Sequence, residues 1–566
     1  MRLAHVALEP TSDSSAGIAI VGDIRLDDRA ELLAGVGDQT RREVGDPELV
    51  LAAYRRWGDR FVEHLTGDFA FALWDSRKRL VTCARDPFGT RPFYYHLSPS
   101  TFAFASDPEA VLRLPGVPRR LNPAALVDYL DNRYDDEEAG VWRDVSRLPA
   151  GTTLTVGADL VRRRRFWHPG AVPEVRLGSD AEYEEAFRVA LTDAVRARLP
   201  ATRAGVSLSG GLDSSSLACV AGPLYRAGRL ATFSARFALD PGSDEWAYAT
   251  TAAAQAGADL HACRPEDTSP LADWSGSAWS GPAPGCSPQG AVVRAVTGAA
   301  TERGVSVLLT GYGGDSVVSH GAAYLTELAA SGHPLRFLAE ARALGRRHGR
   351  PVGPLVRRFG LRPFVPSAVV RTRRRLLRRD VAVGGVAALL RPEVVRGLRP
   401  EGLAGERRPP RTARLAHEAE VAGGFLPYAL ETFFHTDAVV GVERRHPFLD
   451  RRLAELCLGL PGDQKLRDGW TRSIMRRALV GIVPDAIRER PGKADLTGPF
   501  LRGLLGPDRP GLEELVARPG VVTEWVDPAA LTALWHRCVA ERGADDCFTL
   551  WRVAVLSRWL THHGIA

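Results

Sequence analysis

The residues best suited to chemistry form a serine- and glycine-rich string that follows a short apolar run. The string reads Val206-Ser207-Leu208-Ser209-Gly210-Gly211-Leu212-Asp213-Ser214-Ser215. A helix is predicted directly after it, and backbone N–H groups at a helix N-terminus favour a phosphate. The glycines let the backbone approach phosphate oxygens, and the serine hydroxyls add donors. The pattern Gly-x-x-x-x-Gly-Lys is absent, so this is not a Walker A loop. A glycine-rich turn without a ligand is the alternative.

A second string of similar character ends another apolar run. It reads Leu308-Leu309-Thr310-Gly311-Tyr312-Gly313-Gly314-Asp315. Ligands of open α/β sheets bind at the carboxyl ends of the strands, so Asp213 and Asp315 are predicted to share one sheet edge. Either carboxylate alone could cap a helix, but the pair favours a metal ion.

The elements that must position these strings alternate between helices and short β-rich runs. Such runs cover residues 205–208, 230–237 and 305–309. This alternation predicts an α/β domain with a parallel sheet, followed from about residue 325 by mostly helical chain. Residues 16–165 instead show short apolar runs broken by turn residues, which predicts antiparallel strands with a few helices. One helix is predicted to begin at Asp46-Pro47 and another after Ser106, which we expect to be its N-cap.

The serine-glycine string resembles the pyrophosphate-binding loop of the N-type ATP pyrophosphatases, and later segments resemble the asparagine synthetase-like enzymes within that group. Those segments are Val442-Glu443-Arg444-Arg445-His446-Pro447-Phe448-Leu449-Asp450, Gly469-Trp470-Thr471-Arg472-Ser473-Ile474-Met475-Arg476 and Arg488-Glu489-Arg490-Pro491-Gly492-Lys493. The resemblance implies that ATP is cleaved to AMP and pyrophosphate while a carboxylate is adenylated. Arg472 departs from the family, which usually carries Lys there.

The resemblance also assigns roles to individual residues. The implied ATP and pyrophosphate contacts are Ser207, Ser209, Gly210, Gly211, Asp213, Ser214, Phe233, Gly311 and Gly313. Asp213 and Asp315 are implied ligands of Mg²⁺, a hard cation that prefers oxygen donors. Lys493 is one of only three lysines in the chain, and its implied role is to stabilise charge on the acyl-adenylate.

Tyr312 and Glu431 are candidates for activating an amine. The sequence Gly-Tyr-Gly resembles β-lactam synthetase-like enzymes, in which a tyrosine and a glutamate deprotonate the attacking amine, as general-base catalysis requires. Glu431 lies fifteen residues before His446, which fits the position of that glutamate. A structural Tyr–Glu hydrogen bond, or no contact, is the alternative. We predict a catalytic set of Tyr312, Glu431 and Lys493.

The N-terminal part resembles the glutamine amidotransferase domain of the same family. The segments that carry this resemblance are Gly22-Asp23-Ile24-Arg25-Leu26, Gly67-Asp68-Phe69-Ala70-Phe71-Ala72-Leu73-Trp74-Asp75 and Arg85-Asp86-Pro87-Phe88-Gly89-Thr90-Arg91-Pro92-Phe93-Tyr94-Tyr95. That domain uses an N-terminal cysteine, whereas this sequence begins Met1-Arg2-Leu3 and its first cysteine is Cys83 in a predicted strand. We therefore expect a retained scaffold and no use of glutamine.

The predicted organisation is α/β with two domains. Residues 1–166 form a degenerate amidotransferase-like domain, an Ntn-hydrolase-like antiparallel β-sandwich with helices. A linker covers residues 167–180. Residues 181–566 form an ATP-dependent amide-forming domain with the adenine-nucleotide α-hydrolase-like parallel sheet, and residues 322–424 are a helical, arginine-rich insertion within it.

The resemblance leaves several functions open. A lasso peptide cyclase would join the N-terminal amine of a ribosomal core peptide to an Asp or Glu side chain, with a leader-recognition protein and a leader peptidase as partners. The long insertion favours this function. The alternatives are a β-lactam synthetase-like enzyme, an asparagine synthetase homologue, and an inactive scaffold that binds RNA.

The composition of the chain favours some of these classes of protein and disfavours others. The chain has 566 residues, of which 45% are hydrophobic and 25% charged, as in ordinary globular proteins. No apolar run is long enough to span a bilayer, and the seven scattered cysteines suggest neither zinc nor disulfides, so a cytoplasmic protein is predicted. The net charge of +7 is concentrated, since residues 341–380 contain thirteen arginines and one acid. Nucleic acid is therefore a disfavoured partner.

Overall fold

The computed structural model describes residues 11–13, 17–37, 44–265, 269–272, 281–285, 287–365, 386–397 and 410–565. The N-terminal part contains two antiparallel sheets, and the C-terminal part contains a five-stranded sheet in which every pairing is parallel. The predicted α/β class, with an amidotransferase-like domain before a parallel-sheet domain, is confirmed.

The N-terminal sheets have six and three strands, in the orders β1-β2-β3-β4-β8-β9 and β6-β5-β7. The strands are β1 (Thr11–Asp13), β2 (Ile18–Leu26), β3 (Gly67–Asp75), β4 (Leu80–Arg85), β5 (Tyr94–Leu97), β6 (Phe102–Ala105), β7 (Ser146–Arg147), β8 (Thr152–Val156) and β9 (Val161–Arg165). Alternate residues of β3 pack in two different hydrophobic clusters, because the side chains of a strand point alternately to its two faces. Phe69 and Phe71 pack in the cluster that contains Leu49 and Val50, whereas Ala72 packs in the cluster that contains Tyr95.

The N-terminal helices are α1 (Arg29–Val36), α2 (Asp46–Trp57), α3 (Pro108–Leu112) and α4 (Pro123–Leu130). Helix α2 begins where the Asp46-Pro47 pair predicts it. The N-cap predicted at Ser106 is wrong by one residue. Asp107 immediately precedes α3 in an extended conformation, and its carboxylate accepts a hydrogen bond from Glu109 N–H. A residue in this position satisfies an N–H group that has no partner within the helix.

The edge strand β9 carries four consecutive arginines, and each forms an ion pair with an acid from a neighbouring element. The pairs are Arg162 with Asp59, Arg163 with Glu138, Arg164 with Glu63 and Arg165 with Glu137.

The parallel sheet has the strand order β12-β11-β10-β13-β14. Its strands are β10 (Ala204–Ser207), β11 (Ala231–Ala235), β12 (Asp259–Cys263), β13 (Val307–Leu309) and β14 (Glu443–Arg445), with helices α5 (Asp180–Arg198), α6 (Leu212–Leu224), α7 (Trp246–Ala256) and α8 (Gly290–Glu302). Strands β10 and β13 are direct neighbours, with Val206 opposite Leu309. The two glycine-rich strings therefore leave the sheet side by side, as predicted.

The rest of the described chain is mainly helical. The helices are α9 (Gly314–Val318), α10 (Tyr324–Ala330), α11 (Pro334–Arg347), α12 (Val352–Leu355), α13 (Val386–Leu389), α14 (Pro392–Gly397), α15 (Ala413–Val421), α16 (Phe425–Val440), α17 (Arg451–Gly459), α18 (Gly462–Lys465), α19 (Ser473–Ala478), α20 (Asp485–Arg488), α21 (Thr497–Leu505), α22 (Arg509–Ala517), α23 (Pro528–Glu541) and α24 (Ala544–His562); Leu466–Arg467 and Trp470–Thr471 form a small hairpin, β15 and β16. The predicted arginine-rich insertion lies partly outside the described residues.

The two halves of the chain share one hydrophobic core. Leu126 and Leu130 of α4 belong to the same buried cluster as Leu556 and Trp559 of the C-terminal helix α24. The described helices include none that is long and apolar enough to cross a membrane. Six cysteines are buried free thiols, as expected, and Cys286 lies outside the described residues.

Candidate active site

The loop between β10 and α6 brings together the residues predicted to bind pyrophosphate. Ser209 N–H donates to the Ser214 hydroxyl at 3.0 Å, so the loop closes on the first turn of α6. Gly210 has a positive φ of 77°, and a Cβ there would lie 2.9 Å from the Glu245 carbonyl oxygen. Only glycine allows this tight approach. Ser207 ends β10, and Gly211 directly precedes α6.

The loop between β13 and α9 lies against the first loop. A Cβ on Gly311 would lie 3.0 Å from Ser214 N, and one on Gly314 would lie 2.8 Å from Asp213 Cγ. Gly313 has a positive φ of 85° and packs against Leu449. The absence of side chains at these positions lets α9 bring Asp315 close to Asp213.

Two cations hold the carboxylates of Asp213 and Asp315. Arg472 Nη1 lies 2.6 Å and 2.7 Å from the two Asp213 oxygens and 2.9 Å from Asp315 Oδ1. Lys493 Nζ donates to Asp315 Oδ2 at 2.8 Å. One guanidinium nitrogen therefore bridges both acids. The predicted approach of Asp213 and Asp315 at one sheet edge is observed, and Lys493 lies beside them.

The two carboxylates differ in their protonation equilibria. Burial raises the pKa of Asp213 above its ordinary value, although Arg472 opposes the shift. Burial acts on Asp315 in the same direction, but Arg472 and Lys493 outweigh it and lower the pKa of Asp315.

This pair of acids fits Mg²⁺. Mg²⁺ is held in nucleotide sites by one or two carboxylates together with water and substrate phosphates. Asp213 and Asp315 supply two such carboxylates, and a single cationic nitrogen already reaches both. The described residues include no group of three or more His, Cys, Asp or Glu side chains that could hold a metal ion without a nucleotide. The phosphates of ATP would therefore complete the coordination.

Contacts of Glu245 fix the segment that carries Lys493. Arg490 forms an ion pair with Glu245, and Ala494 N–H donates to the same carboxylate at 2.8 Å. The Lys493 side chain is 68% exposed, so its ammonium can reach a bound substrate.

Phe233 does not reach the site through its side chain. It is fully buried in the core, where its ring lies 5.2 Å from the His261 ring, and its carbonyl accepts from Leu208 N–H. The implied contact of Phe233 with ATP stays a prediction.

Glu431 and Tyr312, the predicted amine-activating pair, both have aromatic side chains close to them. The Tyr94 hydroxyl donates a hydrogen bond to Glu431 at 2.8 Å. Tyr312 packs edge-on against Phe433, with ring centroids 4.9 Å apart, and near His446. The catalytic roles of Tyr312 and Glu431 stay predictions.

Lys465 and His417 are site-supporting residues that the sequence analysis does not identify. Lys465 is fully buried, and its ammonium lies 2.9 Å from His417 Nδ1. His417 Nε2 lies 2.9 Å from the carbonyl oxygen of Ser316, the residue after Asp315. Because lysine is rare in this chain, the presence of a lysine at position 465 was the sequence feature that could have indicated its importance.

Comparison with known proteins identifies the family. The family model described as asparagine synthase matches residues 186–561, and that of the glutamine amidotransferase domain matches residues 11–167. The chain belongs to the asparagine synthase family. It is an ATP-dependent amide ligase of the asparagine synthetase-like type.

Similar proteins in this family carry different names. A putative glutamine-hydrolysing asparagine synthetase of Mycobacterium bovis is 28% identical over 561 residues, covering 91% of this chain and 79% of the relative. Amidase chry2 of Gibberella zeae is 26% identical over 557 residues, covering 91% and 82%. Glutamine-hydrolysing asparagine synthetase 3 of Bacillus subtilis is 31% identical over 196 residues, covering 34% and 31%. The predicted boundaries near residues 166 and 181 stay predictions.

Proposed function

We propose that this protein is a lasso peptide macrolactam cyclase. The observation that carries the proposal is the meeting of Asp213, Asp315 and Lys493 at the carboxyl edge of the sheet, with Tyr312 in the loop that leads into the helix of Asp315. This arrangement supports adenylation of a carboxylate beside a tyrosine of the kind that serves amine-activating members of the family. Helices α10 to α15 follow that loop, and the length of this insertion is the reason for proposing a substrate larger than a free amino acid.

The proposed reaction has two steps. A side-chain carboxylate oxygen of Asp or Glu in the core peptide attacks the α-phosphorus of ATP, and pyrophosphate leaves. The N-terminal amine nitrogen of the same peptide then attacks the acyl carbon, and AMP leaves as the amide forms. The amine proton is proposed to pass to Glu431, with Tyr312 as the second member of the predicted pair.

The chain's own residues have distinct tasks in these steps. The loop N–H groups and the hydroxyls of Ser209 and Ser214 bind phosphate oxygens. Lys493 stabilises charge on the acyl-adenylate. Mg²⁺, when bound to Asp213 and Asp315, supplies charge neutralisation for the pyrophosphate leaving group.

The N-terminal domain is proposed to act without glutamine hydrolysis. Cys83 is the only cysteine in residues 1–167. It is fully buried within strand β4, and burial raises the pKa of its thiol well above the ordinary value. A buried thiol with a raised pKa is a poor nucleophile. The attacking amine is therefore proposed to come from the peptide.

The proposal implies three partners and a location. The substrate is a ribosomal core peptide, which a leader-recognition protein and a leader peptidase would deliver. Because translation and ATP are cytoplasmic, the proposal places the enzyme in the cytoplasm.

The test is the intact mass of a precursor peptide encoded beside this gene, after incubation with the protein, ATP, Mg²⁺ and the leader-processing partners. We expect the released core peptide to lose one water in an ATP-dependent manner, because each amide bond formed removes one. AMP formation from a small β-amino acid without any change in the peptide would favour a β-lactam synthetase-like enzyme. Asparagine formed from aspartate and ammonia would favour an asparagine synthetase.

A further inference from the structure

Glu431 belongs to the synthetase domain but is held by the N-terminal domain. It lies on α16 and is 2% exposed. Tyr94 Oη donates to its Oε2 at 2.8 Å, and Arg85 Nη2 lies 2.9 Å from its Oε1. Arg147 Nη1 lies 3.6 Å from Oε2. All three partners come from the amidotransferase-like domain.

The partners of Glu431 are themselves fixed within that domain. Arg85 Nε donates to the Arg91 carbonyl at 2.8 Å, and its two terminal nitrogens donate to the carbonyls of Leu148 and Gly89, each at 2.9 Å. Tyr94 lies on β5, the central strand of the three-stranded sheet, and pairs there with Arg147 of β7. The guanidinium groups and the hydroxyl therefore form a rigid cradle for one carboxylate.

This cradle compensates the cost of burying an ionised carboxylate. A buried carboxylate is costly unless opposite charges and hydrogen bonds accompany it. Removing the N-terminal partners would leave Glu431 with an uncompensated charge in a buried position. The orientation of Glu431 is therefore set across the domain boundary.

One oxygen of Glu431 keeps acceptor capacity. Among the described residues, Oε1 accepts no hydrogen bond of good geometry, although Arg85 faces it. Glu431, Tyr94 and Arg147 also line a common cavity at the domain boundary. A carboxylate oxygen that accepts no hydrogen bond has a lone pair that can take a proton from an ammonium group.

We propose that Tyr94, Arg85 and Arg147 are positioning residues for the amine step, so that the N-terminal domain orients Glu431 for catalysis in the other domain. This inference rests on the proposed function, in which Glu431 receives the amine proton. It gives the amidotransferase-like domain a task that requires no glutamine. It also predicts that changes at the cradle affect amide formation and leave adenylation intact.

The test compares Tyr94→Phe with Tyr95→Phe in the full-length protein. The two tyrosines are adjacent on β5, but the Tyr95 hydroxyl bonds Glu138 and Arg163 within the N-terminal domain. Adenylation is measured as core-peptide-dependent exchange of pyrophosphate into ATP, and amide formation as loss of one water from the same peptide. Melting temperatures verify that each variant folds.

We expect Tyr94→Phe to slow amide formation about tenfold, because it removes one hydrogen bond to the carboxylate, with pyrophosphate exchange unchanged. Tyr95→Phe should match the wild type in both assays. Arg147→Met should resemble or exceed Tyr94→Phe, and Arg147→Lys should recover part of the amide-forming rate.

The positioning role of the N-terminal residues and the catalytic role of Glu431 can be overturned by different outcomes. Wild-type rates for Tyr94→Phe and Arg147→Met, with Glu431→Gln impaired, would overturn the positioning role alone. Equal losses in both assays would show a structural role and would also overturn it. Wild-type amide formation by Glu431→Gln would remove Glu431 from the proposed mechanism itself.

Discussion

Two carboxylates on one cation define this site at the scale of single residues. Arg472 Nη1 lies between Asp213 and Asp315, within 2.9 Å of an oxygen of each. The same oxygens are the proposed Mg²⁺ ligands. Substitution of either acid should therefore affect the first chemical step.

Asp213→Asn and Asp315→Asn should each lower pyrophosphate release by on the order of a hundredfold or more, because charge compensation at the leaving group depends on these oxygens. The measurement is pyrophosphate formed per unit time at saturating ATP. Asp485→Asn is the matched control, since Asp485 is an exposed acid that forms an ion pair with Arg488. Unchanged pyrophosphate release by both Asp213→Asn and Asp315→Asn would show that these two carboxylates are not the Mg²⁺ ligands.

Arg472 is predicted to stabilise the fold through the same contacts. Removing one partner of a buried ion pair leaves an uncompensated charge, so Arg472→Gln should lower the free energy of unfolding by about 3 kcal/mol. Mg²⁺ should restore part of this loss, because it can replace the guanidinium between the carboxylates. The measurement is the urea midpoint with and without Mg²⁺.

Arg472→Lys is the matched variant, because it keeps the charge and loses the planar donor group. It should lose less stability than Arg472→Gln. An Arg472→Gln protein as stable as the wild type, and indifferent to Mg²⁺, would contradict the bridging role.

At the scale of elements, the site depends on two loops that pack without side chains. Gly314→Ala would place a methyl group 2.8 Å from Asp213 Cγ. We expect the KM for Mg-ATP to rise about tenfold, because a misplaced catalytic group costs roughly one to two orders of magnitude. Steady-state kinetics with varied Mg-ATP provide the measurement.

Gly298→Ala is the control for this substitution. Gly298 lies within α8, and a Cβ there meets nothing within 4 Å. Replacing a glycine inside a helix by alanine should raise stability by about 0.5–1 kcal/mol with unchanged kinetics. An unaltered KM for Mg-ATP in Gly314→Ala would show that ATP binding does not depend on the close contact between the two loops.

The sequence predicts these elements well because their determinants are local. The apolar runs and glycines identify β10 and β13, and neighbouring parallel strands bring Asp213 and Asp315 to one edge. The contact of Glu431 could not be predicted in the same way. Tyr94 is separated from Glu431 by 337 residues, and no sequence pattern links the two domains.

One omission has a similar physical reason. Lys465 and His417 are absent from the predicted site, and they reach the helix that carries Asp315 through the backbone carbonyl of Ser316. Backbone-mediated contacts leave no signature in residue types.

At the scale of the whole molecule, Glu109 links the N-terminal domain to the end of the chain. Arg119 donates to both Glu109 oxygens at 2.9 Å, and His563 Nδ1 lies 2.8 Å from Oε1. Burial acts to raise the pKa of Glu109, but His563 and Arg119 outweigh it and lower the pKa from 4.5 to about 2.

A carboxyl group whose pKa is lower in the folded state adds stability above its unfolded pKa, and this stability is lost as the pH falls through the folded value. Glu109→Gln should therefore lower the free energy of unfolding by about 2 kcal/mol at neutral pH. The difference from the wild type should shrink between about pH 4.5 and pH 2. Urea midpoints across this range measure it.

Glu514→Gln is the control for Glu109→Gln, because Glu514 forms an exposed pair with Arg518. Its effect should stay within about 0.5 kcal/mol at every pH. A difference for Glu109→Gln that is constant with pH would show that the lost contact is not ionic.

The four arginines of β9 have a consequence for the peptide substrate proposed above. An edge strand offers unpaired backbone groups, and an unfolded peptide can add to such an edge by β-augmentation. On β9, consecutive charged side chains project to both faces, and acids of neighbouring elements hold them in place. A peptide that added there would have to displace these ion pairs. These ion pairs therefore protect the edge from self-association. Under the proposed function, they would also leave the backbone of the peptide substrate available for the synthetase domain.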